Sequence, residues 1–278
     1  MINLLLAIAS SSLVSIVMRT SEKYTKGNHG MLAVNYIICV IMAAFYTGFW
    51  NLFPKAEGIG FTLGLGTCTG ILYLVGLLLV QLNIQKNGVV LSSIFQKLGL
   101  IVQVLISIIF FNEQPQLIQV LGIIICLVAV VMINFEKGQR AVQFKLGLFL
   151  ILLSSGFCDV MSKIHEEMGN PALADHFLFY TFGVAMILCI ALIIVKKELF
   201  GWKDILFGIL LGIPNYFSAS FLLKALNDIA AVIVFPTFSV ATVVVISMTG
   251  LLVFKEKLSK KQWIGMGLIL VALVFLNI

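Results

Sequence analysis

Charge is what this chain has least of. Only 11% of its 278 residues are Asp, Glu, Lys or Arg, against about 25% in an average soluble domain. Disorder requires high charge and low hydrophobicity, so this shortage excludes a disordered chain. It also excludes an ordinary soluble domain. Apolar and aromatic residues make up 61% of the chain, and too few polar side chains remain to cover them in water. Catalytic signatures are missing too. There is no Gly-x-Ser-x-Gly, no Gly-x-Gly-x-x-Gly and no Walker-type loop. His165-Glu166-Glu167 lacks the second histidine of a zinc helix. Asp159 is the sole acid well inside an apolar run, which argues against a two-aspartate intramembrane protease. An enzyme is therefore not expected, no cofactor or metal is implied, and ATP is not the direct energy source. Cys39, Cys68, Cys126, Cys158 and Cys189 lie in apolar runs without metal-type spacing and read as buried thiols. No Asn-x-Ser/Thr sequon occurs, which fits the plasma (inner) membrane of a bacterium.

What the chain does have is length in hydrocarbon-compatible pieces. About 20 apolar residues cross a bilayer as a helix, and ten runs of that kind can be placed: 2–18, 31–53, 59–81, 88–110, 115–135, 144–164, 172–195, 203–224, 229–253 and 261–278. Met1 to Met18 lacks the positive leader of a signal peptide, since Arg19 follows the run, so it counts as the first span. Barrel strands would alternate their faces, whereas these runs are continuously apolar. The expected fold is all-α, integral to the membrane. Pro115 and Pro171 fall at span starts, where a missing N–H is harmless. Pro214 and Pro236 fall inside spans eight and nine, where they are expected to kink or break the helix.

The chain repeats. Shifted by 143 residues, 89–135 matches 232–278 at 12 of 47 positions, including Glu113 with Glu256, Gln119 with Gln262, Gly122 with Gly265 and Asn134 with Asn277. This divides the chain into five-helix repeats at 1–135 and 144–278 with a linker at 136–143. Five is odd, so the second repeat must be inverted relative to the first. The net charge of +6 sits in loops and reads as an orientation signal and headgroup contact rather than nucleic-acid binding. Loops 1–2, 3–4, 5–6, 7–8 and 9–10 hold 14 Lys and Arg and the opposite side holds 3, which places both termini outside.

The doubled tail has a small or polar helix break, a long apolar helix, a Glu at a short loop, a Gln six residues on and a Gly three beyond that. In these residues the chain resembles the drug/metabolite transporter superfamily, of the ten-helix EamA type, over essentially its whole length. Pro236 sits where that family often has proline; its first-repeat counterpart is Ser93. The resemblance implies alternating access around a central cavity lined by helices one, three, four, six, eight and nine. It also implies substrates among amino acids, sugars, nucleotide sugars, phosphorylated metabolites, purines or cationic drugs, export by family frequency, and termini in the cytoplasm, opposite to the loop count.

Polar groups within the spans are the candidate site. Lys97 lies near the middle of span four, where a charge costs roughly 3 kcal/mol. Its repeat counterpart is Val240, so the fold itself does not demand it. It is either an anchor for a carboxylate or phosphate, or a lysine that snorkels or pairs internally. Asp159 either carries a coupling proton or binds an ammonium group, or it forms an i,i+4 pair with Lys163. Asn215 and Tyr216 follow Pro214, with Tyr73 at the matching place. Ser239 and Thr242 follow Pro236. Broken helices at matching places point to a transporter site, with ordinary packing as the alternative. Gln96 and Gln103 share a face with Gly99 and suit inter-helix hydrogen bonds. Ser11, Ser12 and Ser15 either line the cavity or allow close packing. Glu113 and Glu256 read as N-terminal caps of the helices that follow them. Three Gly-x-x-x-Gly motifs, at 60/64, 66/70 and 208/212, read as internal packing, with dimerisation the minor alternative.

The expectation is a secondary active transporter of a small polar metabolite, an amino acid or organic anion, working as an exporter with proton coupling at Asp159. Lys97, Asp159, Tyr73, Asn215, Tyr216, Ser239, Gln96 and Ser12 are the substrate-binding candidates. The partners expected are that small molecule and membrane lipid, with the chain a monomer or homodimer. A flippase for lipid-linked sugars and a non-transporting membrane scaffold are the alternatives.

Overall fold

A bilayer interior offers no water to unpaired N–H and C=O groups, so each apolar run closes its backbone bonds within itself as a helix. The computed structural model, which describes residues 1–21, 24, 28–87, 89–134, 144–198, 201–253 and 259–277, consists of helices joined by short loops. They are α1 (Ile2–Ser21), α2 (Asn28–Thr47), α3 (Ile59–Asn87), α4 (Val89–Lys97), α5 (Leu100–Phe110), α6 (Leu117–Asn134), α7 (Lys145–Met168), α8 (Ala174–Lys196), α9 (Trp202–Asp228), α10 (Ala231–Leu252) and α11 (Lys260–Asn277). No strand occurs among the described residues. Among the described residues eight helices are long and apolar enough to cross a bilayer, and the α4–α5 and α6 segments are shorter. With α4 and α5 as one span, the order is ten spans, five in each repeat. The 136–143 linker, Glu256, Lys255 and Lys257 lie outside the described residues.

Of the two outcomes expected at Pro214 and Pro236, a kink or a break, the break is absent: both prolines lie inside α9 and α10, and neither helix ends there. The break falls instead in span four, at Leu98–Gly99, where there is no proline. Span three is also longer than read, reaching Asn87. Its last turn makes a clamp: Asn87 Oδ1 accepts from Phe144 N at 3.0 Å and Asn87 Nδ2 donates to Phe144 O at 3.1 Å.

The compact units do not follow the repeats. One unit comprises Met1–Leu74 and Met161–Asn227, the other Val75–Val160 and Asp228–Ile278. In the first unit α2 packs on α8 and on α9. A Cβ on Gly208 would lie 2.8 Å from Met31 O, and one on Gly212 would lie 2.8 Å from Asn35 O. Gly66 and Gly70 are pressed against Tyr180 and Thr181 of α8 in the same manner. Two of the three Gly-x-x-x-Gly motifs therefore serve packing inside this unit, while Gly60 and Gly64 face open space. The loop after α2 is tied to α8: Tyr180 Oη donates to Leu52 O at 2.7 Å, and His176 Nε2 bonds Asn51 O at 2.8 Å. Of the cysteines, Cys39, Cys126 and Cys189 are buried, but Cys68 is exposed on the helix surface. A thiol is apolar enough to face lipid as readily as protein.

In the second unit α6 packs on α11, with Gly122 against Ala272 and Leu276 and Gly265 against Ile133. Glu113 caps a helix, but not the one that follows it. Its two carboxylate oxygens accept from Ala231 N at 2.8 Å and Val232 N at 2.7 Å, at the start of α10. Asn112, at φ +52°, turns the chain so that Glu113 arrives there. The α10 N-terminus has no cap from its own residue Ala230, so Glu113 supplies both its hydrogen bonds and its charge. Glu113→Ala is expected to lower stability by about 2 kcal/mol. Glu113→Gln should lose roughly half as much, since the amide oxygen still accepts one N–H. Thermal melts in detergent check this, and an unchanged midpoint in Glu113→Ala would contradict it.

Candidate functional site

The break in span four is made by α7. Ile101 N and Val102 N bond only three residues back, to Leu98 O and Gly99 O, both at 2.9 Å. This tightens the ladder between α4 and α5. Gln96 O accepts from Gly99 N at 3.2 Å and from the Ser155 hydroxyl of α7 at 2.8 Å. A side chain thus supplies a donor that the continuous helix would have supplied. The helices touch here backbone to backbone. A Cβ on Gly156 would lie 2.7 Å from Gly99 O, and one on Gly99 would lie 2.9 Å from Gly156 N and overlap the Ser155 hydroxyl.

One turn further along both helices the polar contact resumes. Gln103 of α5 donates from Nε2 to Asp159 Oδ2 of α7 at 2.6 Å. Residues 99 and 103 are i,i+4 on one helix, and 155 and 159 are i,i+4 on the other. The spacing that makes the break therefore also seats Asp159. Lys97, the last residue of α4, is close enough that its charge and that of Asp159 act on each other. No Lys97 N to Asp159 O distance falls within 4.0 Å. Both residues are half-buried. Lys163, offered above as an alternative partner for Asp159, is engaged at 2.7 Å with Glu166 and 2.6 Å with Glu167.

The cluster has capacity left over. Gln103 is 3% exposed and Ser107, one turn on, is 1% exposed. Gln103 Oε1 and Ser107 Oγ have no hydrogen-bond partner among the described residues. Such groups in an apolar interior cost free energy unless something meets them. The arrangement presents a cation, an anion, a carbonyl oxygen and a hydroxyl on neighbouring turns.

The expected residues do not all meet. Lys97, Asp159 and the Gln96 carbonyl belong to this cluster, though the Gln96 side chain itself is exposed. Ser239 lies half-buried on α10 of the same unit. The other four are in the first unit. Tyr216 is 1% exposed, donates to Asp175 at 3.3 Å and stacks on Tyr46. Asn215 donates to Asn35 at 3.2 Å. Tyr73 packs against Phe182 with centroids 6.2 Å apart. The Ser12 hydroxyl returns to Ile8 O at 2.7 Å within its own helix. Ser155 and Gly156 were not foreseen. Their signal was the order Ser155-Gly156-x-x-Asp159 beside Gly99-x-x-x-Gln103, two four-residue steps that match only once the helices are paired.

Known proteins share this plan. The sequence profile of the EamA-like transporter family matches residues 1–135 and 145–278. An uncharacterised protein of Haemophilus influenzae is 28% identical over 277 residues, covering 95% of this chain and 93% of its own. Proteins of Listeria monocytogenes and Listeria innocua, each named a putative sugar uptake protein, are 25% identical over 255 residues, covering 83% of either chain. A solved crystal structure 13% identical in sequence matches with a TM-score of 0.75 over 99% of this chain and 98% of its own, a likeness of fold.

Proposed function

The chain belongs to the EamA-like transporter family, and from that premise we propose that it is a secondary active carrier of a small polar metabolite, with the Lys97–Asp159–Gln103 cluster as its substrate site. One observation carries this reading. Opposite charges are held within the spans, at a helix break, beside a carbonyl and a hydroxyl without partners. Charged groups at such depth are costly, and mark substrate or proton pathways; irregular backbone at such depth serves a site rather than the lipid face. Lys97 anchors an anionic group, Asp159 binds an amine or carries the coupling proton, and Gln103 orients the Asp159 carboxylate. An amino acid or organic anion fits the two charges. The protein is not an enzyme, sits as a multi-pass protein in the bacterial inner membrane, and exports by alternating access.

A sugar is the second reading. It is favoured by the name of the Listeria relatives and by unpaired oxygens that suit hydroxyl groups. Proteoliposomes separate the two. Radiolabelled amino acids, organic anions and neutral sugars are offered with and without a pH gradient, to the wild type and to Asp159→Asn. The expected result is counterflow of one charged class, driven by the gradient in the wild type and insensitive to it in Asp159→Asn. Counterflow of neutral sugars alone would replace the first reading by the second. Absence of flux for every class, with the protein folded and inserted, would overturn both.

A further inference from the structure

Five of the nine residues from Phe45 to Phe53 are aromatic and none is charged. They run from the last turn of α2 into the loop that follows it. Trp50 is fully exposed, and Phe45, Phe49 and Phe53 are each more than half exposed. A contiguous apolar surface of this kind marks an interaction site. The backbone of the loop is fastened. Gly48, at φ +82°, turns the chain off α2. The carbonyl of Asn51 accepts from His176 at 2.8 Å and that of Leu52 from Tyr180 at 2.7 Å. Phe53 stacks on Tyr180 with centroids 5.6 Å apart. His176 and Tyr180 lie in the first two turns of α8, and both are buried. With 23 residues, α8 is about 35 Å long at the helical rise, against about 30 Å of hydrocarbon. Its first turn therefore stands at the edge of the hydrocarbon layer and its second just inside. The loop tied to those turns lies at the same level rather than above it in water. Backbone carbonyls at that depth need partners from the protein, and Asn51 and Leu52 have them.

We propose that the 45–53 segment is a wedge docked in the bilayer interface, held at that depth by His176 and Tyr180, with Phe49, Trp50 and Phe53 among the glycerol and upper acyl groups of phospholipids. The occupant follows from where the loop is. It continues the lipid-facing side of α2, where Ile41 and Phe45 are exposed, and aromatic rings collect at the interface. With no charged residue from 45 to 53, the wedge does not select lipids by the charge of their headgroups. A partner protein would have to enter the bilayer to reach it. The wedge belongs to the first unit and does not depend on what the Lys97–Asp159–Gln103 cluster carries.

The experiment uses the full chain in vesicles with Trp202→Phe and Trp263→Phe, both at exposed positions, so that Trp50 alone reports. Its fluorescence is read in phosphatidylcholine brominated near the glycerol end or near the methyl end of the acyl chain, and again with iodide in the buffer. The expected result is strong quenching by the shallow bromines, weaker quenching by the deep ones and little by iodide, with brominated phosphatidylglycerol behaving alike. Tyr180→Phe keeps a ring to stack on Phe53 and removes the donor to Leu52 O. It should let the loop lift, so that iodide quenching rises about fivefold, the equivalent of about 1 kcal/mol for one hydrogen bond. Iodide quenching of Trp50 as strong as that of free tryptophan, with none by the bromines, would overturn the proposal. So would a Tyr180→Phe chain in which both kinds of quenching stay unchanged, since the tie to α8 would then not set the depth. Quenching by neither agent, in a chain that crosslinks to itself through Phe49→Cys, would show a second copy on this surface and overturn it as well.

Discussion

Lys97→Met is expected to stop transport and to destabilise the protein by about 3 kcal/mol, and the double variant Lys97→Met/Asp159→Asn to regain the stability but not the transport. The two charges sit within the spans on α4 and α7 and act on each other without direct contact. Removing the lysine leaves the Asp159 carboxylate with one neutral donor, Gln103 Nε2 at 2.6 Å. An uncompensated charge in such surroundings typically costs 3–5 kcal/mol, and protonation of the carboxylate brings the loss to the lower end. Converting Asp159 to Asn in the same molecule removes the stranded charge, and its amide still bonds Gln103. Stability therefore returns to within about 1 kcal/mol of the wild type. Transport does not, because neither charge is left to meet the substrate. Melting midpoints and proteoliposome flux measured on the three proteins give the answer. A double variant that still carries substrate would show that the pair is structural alone.

The second large effect is expected at a residue that touches no ligand. Gly156→Val should lower stability by about 3 kcal/mol and reduce flux at least tenfold. A Cβ at 156 would stand 2.5 Å from Val102 Cβ and 2.7 Å from Gly99 O. Two of those neighbours are backbone or backbone-proximal and cannot swing aside. Packing extra carbon into a filled contact costs about 1–3 kcal/mol and sometimes more. Relief requires α5 and α7 to separate, and that separation takes Gln103 from Asp159 and Ser155 from Gln96. Gly267→Val on α11, where nothing lies within 4 Å, is the control and should melt and transport like the wild type. If Gly156→Val does the same, the close crossing is not what seats the site.

These two cases show what could be read in the residues beforehand. Lys97 and Asp159 stood out because a charge in an apolar run is expensive wherever the helix goes. Gln103 was readable as an inter-helix hydrogen bonder, but its partner was not. Asp159 had Lys163 four residues away on its own helix, and sequence spacing alone favours such a pair; the structure gives Lys163 to Glu166 and Glu167. Glu113 shows the same limit. A cap was readable from its place at a loop, whereas its helix, α10, starts 118 residues later. The prolines did not mark where a helix ends. Pro214 and Pro236 mark lost hydrogen bonds, yet a neighbouring turn or side chain can satisfy the freed carbonyl without ending the helix.

The chain by itself determined its solvent, its helices and its duplication. Each of these is decided within one short segment: about 20 apolar residues in hydrocarbon must bond to themselves, and a copied segment keeps its Glu, Gln and Gly. Only the tertiary structure decided where span four breaks and which groups share Asp159. The break depends on a hydroxyl and a missing side chain at Ser155 and Gly156, more than fifty residues from the carbonyl they serve. A helix interrupts its own ladder at little cost only where another helix brings the replacement donor, and no local pattern records which helix that will be.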